Sequence, residues 1–247
     1  MKTNKWPKVL SPLGPEQQKI SDDFMKHWHE VLGSQSRYNM IEKFNHGYVV
    51  DHSPKDFLTT LEIGAGLGEH LKHEKLQPAQ YENYVALELR EQMAAQITAK
   101  FPTVKTLVAD CQATLPFADG HFDRILAIHV LEHLPNLPAT IKEMYRLCNK
   151  TKGVFSVVIP CEGGMAYQFA RKISAQRIFE RMYKQPYQWL IEREHINQPH
   201  EIFEELAPYF TVEQKSFFPL SVPFVFCNLC IGITLRPKPQ TSMKEAT

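Results

Sequence analysis

From about Lys55 onward, short apolar runs alternate with segments whose apolar residues recur at helical spacing. The runs "FLTTLEI" (57–63), "YVALEL" (84–89), "VKTLVA" (104–109), "FDRILAI" (122–128) and "VFSVVI" (154–159) are short and apolar on both sides, as strands buried on both faces are. Between them, "GEHLKHEKL", "REQMAAQITAKF" and "LPATIKEMYRLC" predict helices, with Pro or Gly nearby as stops. The alternation predicts a parallel sheet covered by helices. Upstream, "PEQQKISDDFMKHWHEVL" predicts a helix capped at Ser21 that packs beside or over the sheet. After Pro160 the alternation breaks. Residues 161 to about 208 read as helices, and "YFTVEQKSF" and "LCIGITL" then resume strand character.

Composition adds bounds. A chain of 247 residues with 43% hydrophobic content can bury a sizeable core. Lys+Arg and Asp+Glu number 28 and 27, so no global field attracts nucleic acid, and none is expected as a partner. The five cysteines cannot all pair, and the charged N-terminus lacks the apolar run of a signal peptide, so a cytoplasmic location is expected. Phe217 to Leu235 is uncharged and long enough to cross a bilayer, yet Pro219, Pro223, Asn228 and Gly232 divide it. The stretch reads as a loop followed by a buried strand, with interfacial contact through Phe217–Phe226 left open and no membrane span expected. Cys227 and Cys230 form a lone CxxC, read as strand and lead-in loop.

One short stretch carries the chemistry. In "LEIGAGLGEH" the first strand runs into Gly64, Gly66 and Gly68, which let backbone amides approach a ligand, and the predicted helix behind them would offer its positive end. A nucleotide-like ligand is implied. The dinucleotide fingerprint wants its third glycine one residue after Gly68, where Glu69 stands, and Glu62 before the turn also repels phosphate. An acid there suits a ligand with an ammonium group and no phosphate. Glu88, ending the second strand, is placed to accept two ribose hydroxyls. Asp110, followed by Cys111 at the end of the third, can accept an adenine amino group. Singly, each acid is equally a cap or a solvated loop residue.

These motifs resemble the class I S-adenosylmethionine-dependent methyltransferases, in particular their small-molecule branch. "LEIGAGLG" is similar to the first motif, "ALEL" to the second, and "ADCQATLPFADGHFDRILAIHVLEHLPN" to the third and fourth together. The resemblance covers residues 55 to 160 strongly and the last two strands weakly. It implies an α/β, Rossmann-like seven-stranded sheet with one antiparallel strand, helices on both faces, and S-adenosylmethionine across the carboxyl ends of the first four strands. The cofactor-binding candidates it implies are Glu62, Gly64, Ala65, Gly66, Gly68, Glu88, Leu89, Asp110, Cys111 and His129. Residues 1–54 become an N-terminal helical segment that covers the pocket, and 55–247 the methyltransferase domain, with a helical insert at 161–208 that covers the substrate.

Transfer of a methyl group from a sulfonium is governed by positioning, and a base is needed only if the acceptor holds a proton. His129, at the end of the fourth strand, and Glu162, after the fifth, are the catalytic candidates. For His129 the competing reading is a helix cap or packing against the glycine loop, and Glu132 and His133 read as structural. "HVLEH" has the spacing of an inverted zinc motif, but His129 ends a strand where that motif needs a helix, so no metal is expected. The insert segment "MAYQFARKISAQRIFERMYK" places Arg177, Arg181 and Lys184 at i, i+4 and i+7. They form either a solvated basic face or a site for an anionic acceptor such as a nucleotide sugar. Tyr167, Arg171, Arg177, Arg181 and His195 are the substrate-binding candidates. The favoured function is methyl transfer to a small-molecule acceptor, anionic in the sharper reading. The alternatives are a methyltransferase of RNA or protein, or a non-catalytic cofactor-binding protein of this fold.

Overall fold

The computed structural model describes residues 5–34 and 39–239. Two helices, α1 (Pro15–Ser34) and α2 (Asn39–Asp51), precede the sheet. Then follow β1 (Thr60–Ile63), α3 (Pro78–Glu82), β2 (Tyr84–Glu88), α4 (Glu91–Lys100), β3 (Lys105–Val108), β4 (Arg124–Ile128), α5 (Leu137–Leu147) and β5 (Val154–Pro160). The insert carries α6 (Met165–Arg171), α7 (Arg177–Tyr183) and α8 (Gln188–Glu194). The chain closes with α9 (Pro199–Leu206), β6 (Phe210–Phe218) and β7 (Cys230–Pro237).

All seven strands share one sheet, in the order β3-β2-β1-β4-β5-β7-β6. The first five run parallel, and β7 lies antiparallel between β5 and β6. Strand parity sorts the core. Leu61, Ile63, Ile125 and Ala127 point to one face, where Ile141 and Met144 of α5 and Ile202 and Leu206 of α9 cover them. Leu126, Val158 and Cys230 point to the other, beneath Tyr48 and Val49 of α2. Strand order reverses between β1 and β4, and open parallel sheets form their ligand crevice outside the carboxyl ends at such a reversal.

Three local expectations are revised. Residues 5–14 form no regular element, and Trp6 and Lys8 pin them to α9 through Glu205 and Glu201, each at 2.7–2.8 Å. The first helix starts at Pro15, the favoured residue for that position, so Ser21 lies buried inside α1 and not at its cap. The insert helix is interrupted by a π-turn, Lys172–Gln176, and Lys184 ends it in the left-handed conformation (φ 56°). Phe179 of α7 meets Phe24 of α1 edge-on, with ring centroids 5.1 Å apart. Ile20, Tyr187 and Leu190 complete an apolar cluster separate from the sheet, so α1 and the insert form one body.

Candidate active site

Gly64, Gly66 and Gly68 all take positive φ (63°, 60° and 78°), which only glycine adopts without strain. At Gly64 a Cβ would also stand 2.5 Å from a Val130 methyl, so the turn after β1 touches the turn after β4. The predicted helix behind the glycines is absent. One 3-10 turn, His70–Lys72, replaces it. Its His70 is buried, with Nε2 at 2.7 Å from Glu74, and Glu74 pairs in turn with the fully buried Arg124 of β4. This polar anchor draws the chain into the interior after one turn, so no helix end stands behind the glycines, and the amides of Ala65, Gly66, Leu67 and Gly68 are held by Leu87, Glu88, Glu69 and Ala65. Burial pushes the His70 imidazole down to about 4, against its bond to Glu74.

The Gly66 amide donates to the Glu88 carboxylate at 3.0 Å, and the Arg90 amide donates to its other oxygen at 3.0 Å. Glu88 is thus fixed beside the loop, and Leu89 next to it leaves an apolar side chain 63% exposed. Asp110 accepts from the amide of Gln112 at 2.9 Å, a local cap on the turn after β3. The Cys111 thiol is buried, which pushes it up to about 12. Glu62 lies behind this group. It accepts the Tyr84 hydroxyl at 2.7 Å within the sheet, and burial pushes its carboxyl up to about 8, the Tyr84 bond opposing.

His129 follows β4 with φ 52°, a left-handed conformation that is strained for a side-chain-bearing residue. Its amide donates to the Val158 carbonyl at 2.9 Å, and its Nδ1 lies 3.1 Å from Glu132. Burial pulls the imidazole down, but hydrogen bonds to Cys230 and Glu132 outweigh it and hold His129 well above the usual histidine range. Burial likewise opposes ionisation of Glu132, yet His129 and His133 bring it down to about 2.

The insert brings four predicted residues together. Both Glu162 oxygens accept from Arg171 at 2.7 Å, and one lies 2.8 Å from His195 Nδ1. Burial would raise the Glu162 carboxyl, but His195 and Arg171 keep it below its ordinary value. Tyr167 stacks on His195 at 6.2 Å and carries the Arg171 guanidinium over its ring at 5.6 Å. Arg177 and Arg181 stand apart, exposed on α7. Two participants escaped the sequence reading as site members. His133 packs edge-on against His195 at 5.1 Å, and Cys230 lies against His129. The H-x-x-E-H spacing was the only signal for the first, and nothing local pointed to the second.

The sequence family described as a methyltransferase domain matches residues 61–157, from the glycine strand to β5. Residues 61–157 form a class I S-adenosylmethionine-dependent methyltransferase domain. No curated protein matches the methyltransferase in sequence. Among solved structures, a TehB-like S-adenosylmethionine-dependent methyltransferase of Corynebacterium glutamicum is 13% identical with a TM-score of 0.57, over 90% of this chain and 100% of that one. A 1,6-didemethyltoxoflavin-N1-methyltransferase of Burkholderia thailandensis, solved with its substrate and S-adenosylhomocysteine, is 15% identical with a TM-score of 0.55, over 94% of each chain. A possible histamine N-methyltransferase of Thermotoga maritima is 18% identical with a TM-score of 0.55, over 89% of this chain and 99% of that one. At these identities the likeness is one of fold. The methyltransferase domain makes this protein an enzyme, with S-adenosylmethionine as its cofactor. Among the described residues, no helix is long and apolar enough to cross a membrane.

Proposed function

We propose that the methyl acceptor is a small anionic molecule, held between the ends of β4 and β5 and a cover built from α1, α2 and the insert. S-adenosylmethionine supplies an activated methyl group on a sulfonium. The strand-end residues fit it: the glycine turn has no room for a Cβ at Gly64, Glu88 retains lone pairs for two hydroxyls, and Leu89 offers an apolar surface to a base. Asp110 and Cys111 take the adenine edge, and Ala65 and Gly68 shape the loop. Glu62 meets the ammonium group once that charge restores its own ionisation.

The observation that carries the acceptor reading is His129. Its strained backbone and the 3.1 Å contact of Nδ1 with Glu132 fix the ring at the end of β4, and its pKa lies above the usual histidine range, which favours the ring as a hydrogen-bond donor. It suits an acceptor that carries an anionic group, such as a sugar acid, a nucleotide sugar or another carboxylated metabolite. Glu162, held by Arg171 and His195, orients the cover, and Arg177 and Arg181 supply further positive charge. Transfer from labelled cofactor to fractionated extract tests the reading. Label in a small molecule retained by an anion exchanger supports it; label in a neutral metabolite removes the anionic part, and label only in RNA or protein overturns it. Tight cofactor binding with no transfer to any fraction supports the non-catalytic alternative.

Interfacial contact with a lipid surface belongs to the same proposal. Phe224 and Phe226 are 64% and 60% exposed, and Met165 and Phe169 of α6 are 60% and 64% exposed. The two groups adjoin, since a Cβ on Gly164 would lie 2.3 Å from the Val225 carbonyl. Exposed Lys172, Arg177 and Arg181 suit an anionic bilayer surface. Sedimentation with phosphatidylserine vesicles should pull down the parent and spare a Phe224→Asp, Phe226→Asp variant; equal behaviour removes the contact.

A further inference from the structure

We propose that Glu132, His133 and His195 form a binding site for one divalent transition-metal ion of the zinc or cobalt type. The three residues each present a ligand atom, and these atoms lie within 4.8 Å of one another. They come from two separate places: the turn after β4 and the end of α8. Asn197 locks the two together, donating its side-chain amide to the Leu131 and Leu134 carbonyls at 2.7 and 2.8 Å and its backbone N–H to the Glu132 carbonyl at 3.0 Å. The donors are therefore held by the fold and not by flexible side chains meeting at a surface.

Three independent features point to a missing electrophile. Glu132 is fully buried, and its Oε2 has no hydrogen-bond partner. A buried carboxylate oxygen without a donor is unfavourable, so it marks a position where a ligand belongs. His133 has its nearest carboxylate oxygens at 3.6 Å (Glu194) and 3.9 Å (Glu132), both beyond hydrogen-bond range. His195 turns Nδ1 to Glu162 at 2.8 Å, and Arg171 clamps Glu162 in place, which leaves Nε2 as the free ligand atom. Orientation of a ligating histidine by a carboxylate on its other nitrogen is the usual outer-shell arrangement at metal sites.

Two imidazoles and one carboxylate suit zinc, cobalt or nickel, whereas magnesium and calcium prefer oxygen alone. Three protein ligands leave at least one coordination position open. Glu132 also contacts His129 at 3.1 Å, so the open position would lie beside the proposed acceptor pocket. The inference does not depend on the acceptor's identity.

The full-length protein, stripped with a chelator and dialysed, should bind one Zn2+ per chain by calorimetry. With Co2+ it should develop the visible absorption of a low-coordinate site. His133→Gln and His195→Gln should each weaken binding at least tenfold, and Glu162→Gln by about tenfold through the loosened imidazole. His133 and His195 are only partly buried, so these variants should melt near the parent temperature, which separates lost ligation from lost fold. His121→Gln, away from the cluster, should bind as the parent does. The proposal is overturned if no stoichiometric ion binds, or if one binds with equal affinity to both histidine variants.

Discussion

The Gly66 amide donates to the Glu88 carboxylate at 3.0 Å, joining the turn after β1 to the end of β2. The carboxylate proposed to hold the ribose therefore also pins the loop proposed to hold the rest of the cofactor. Glu88→Ala should weaken S-adenosylmethionine and S-adenosylhomocysteine alike, by about 1.5–3 kcal/mol, through lost charge-assisted bonds. Calorimetry on a variant with unchanged melting decides the matter. Unchanged affinity would remove Glu88 from the site.

Gly64 faces two obstacles to a side chain, its φ of 63° and the Val130 methyl 2.5 Å from any Cβ. Gly64→Ala should lose about 1–2 kcal/mol of stability from the left-handed backbone alone, and more from the clash. Adding Val130→Ala should restore the clash component and leave the backbone component. Denaturant titration of the double variant separates the two, and full recovery would show that conformation plays no part.

Much of this arrangement was legible in the sequence, and the reasons are physical. Strands buried on both faces are largely apolar, so β1, β2, β4 and β5 stand out as runs, and the glycines mark the turn that needs positive φ. The segment after Gly68 misled because Leu71 and Leu76 mimic a helical face, while the deciding contact, His70 and Glu74 with Arg124, spans 50 residues. The Glu162 cluster has the same character. Its histidine lies 33 residues further along the chain, and no periodicity reports such a meeting. Each residue could be singled out, but not their joint geometry.

Burial raises the Glu62 carboxyl to about 8, against an unfolded value near 4.5. A carboxyl with a raised folded pKa is protonated in the native state while the unfolded chain ionises. Its contribution to stability is therefore fully present below about pH 4.5 and lost progressively up to about pH 8. Glu62→Gln should stabilise the protein more at pH 8 than at pH 5, by an amount on the order of 2 kcal/mol. If the cofactor's ammonium restores ionisation, binding at pH 7 should release up to about one proton from the parent and none from this carboxyl in the variant. Calorimetry in buffers of different ionisation enthalpy measures that release, and equal values in the two proteins would place the ammonium elsewhere.

Arg177 and Arg181 are exposed and form no ion pair with a described residue. If they attract an anionic acceptor, Arg177→Gln with Arg181→Gln should raise the acceptor KM about tenfold, with kcat and cofactor affinity little changed. A solvated face would leave KM where it is. Added salt should narrow the difference between parent and variant, since these charges are open to screening.

His129 holds a left-handed backbone, φ 52°, that its own side chain disfavours by about 1–2 kcal/mol. Such strain persists where the surroundings impose it, here the bonds from its amide to Val158 and from Nδ1 to Glu132. Two replacements separate the backbone's role from the ring's. His129→Ala keeps the disfavoured conformation and loses the imidazole; His129→Gly loses the imidazole and relieves the conformation. Neither retains the imidazole ring, so both should lower kcat and kcat/KM together if the ring acts mainly in the transition state. Removing the ring leaves Glu132 without its donor in both variants, so that penalty cancels between them. The glycine variant should then be about 1 kcal/mol more stable than the alanine variant in urea, despite the freer unfolded chain that glycine brings. Equal stability would mean that the backbone tolerates the turn without strain. Near-parental activity in both would mean that the ring takes no part in transfer, leaving the reaction to positioning by the cover and the strand ends.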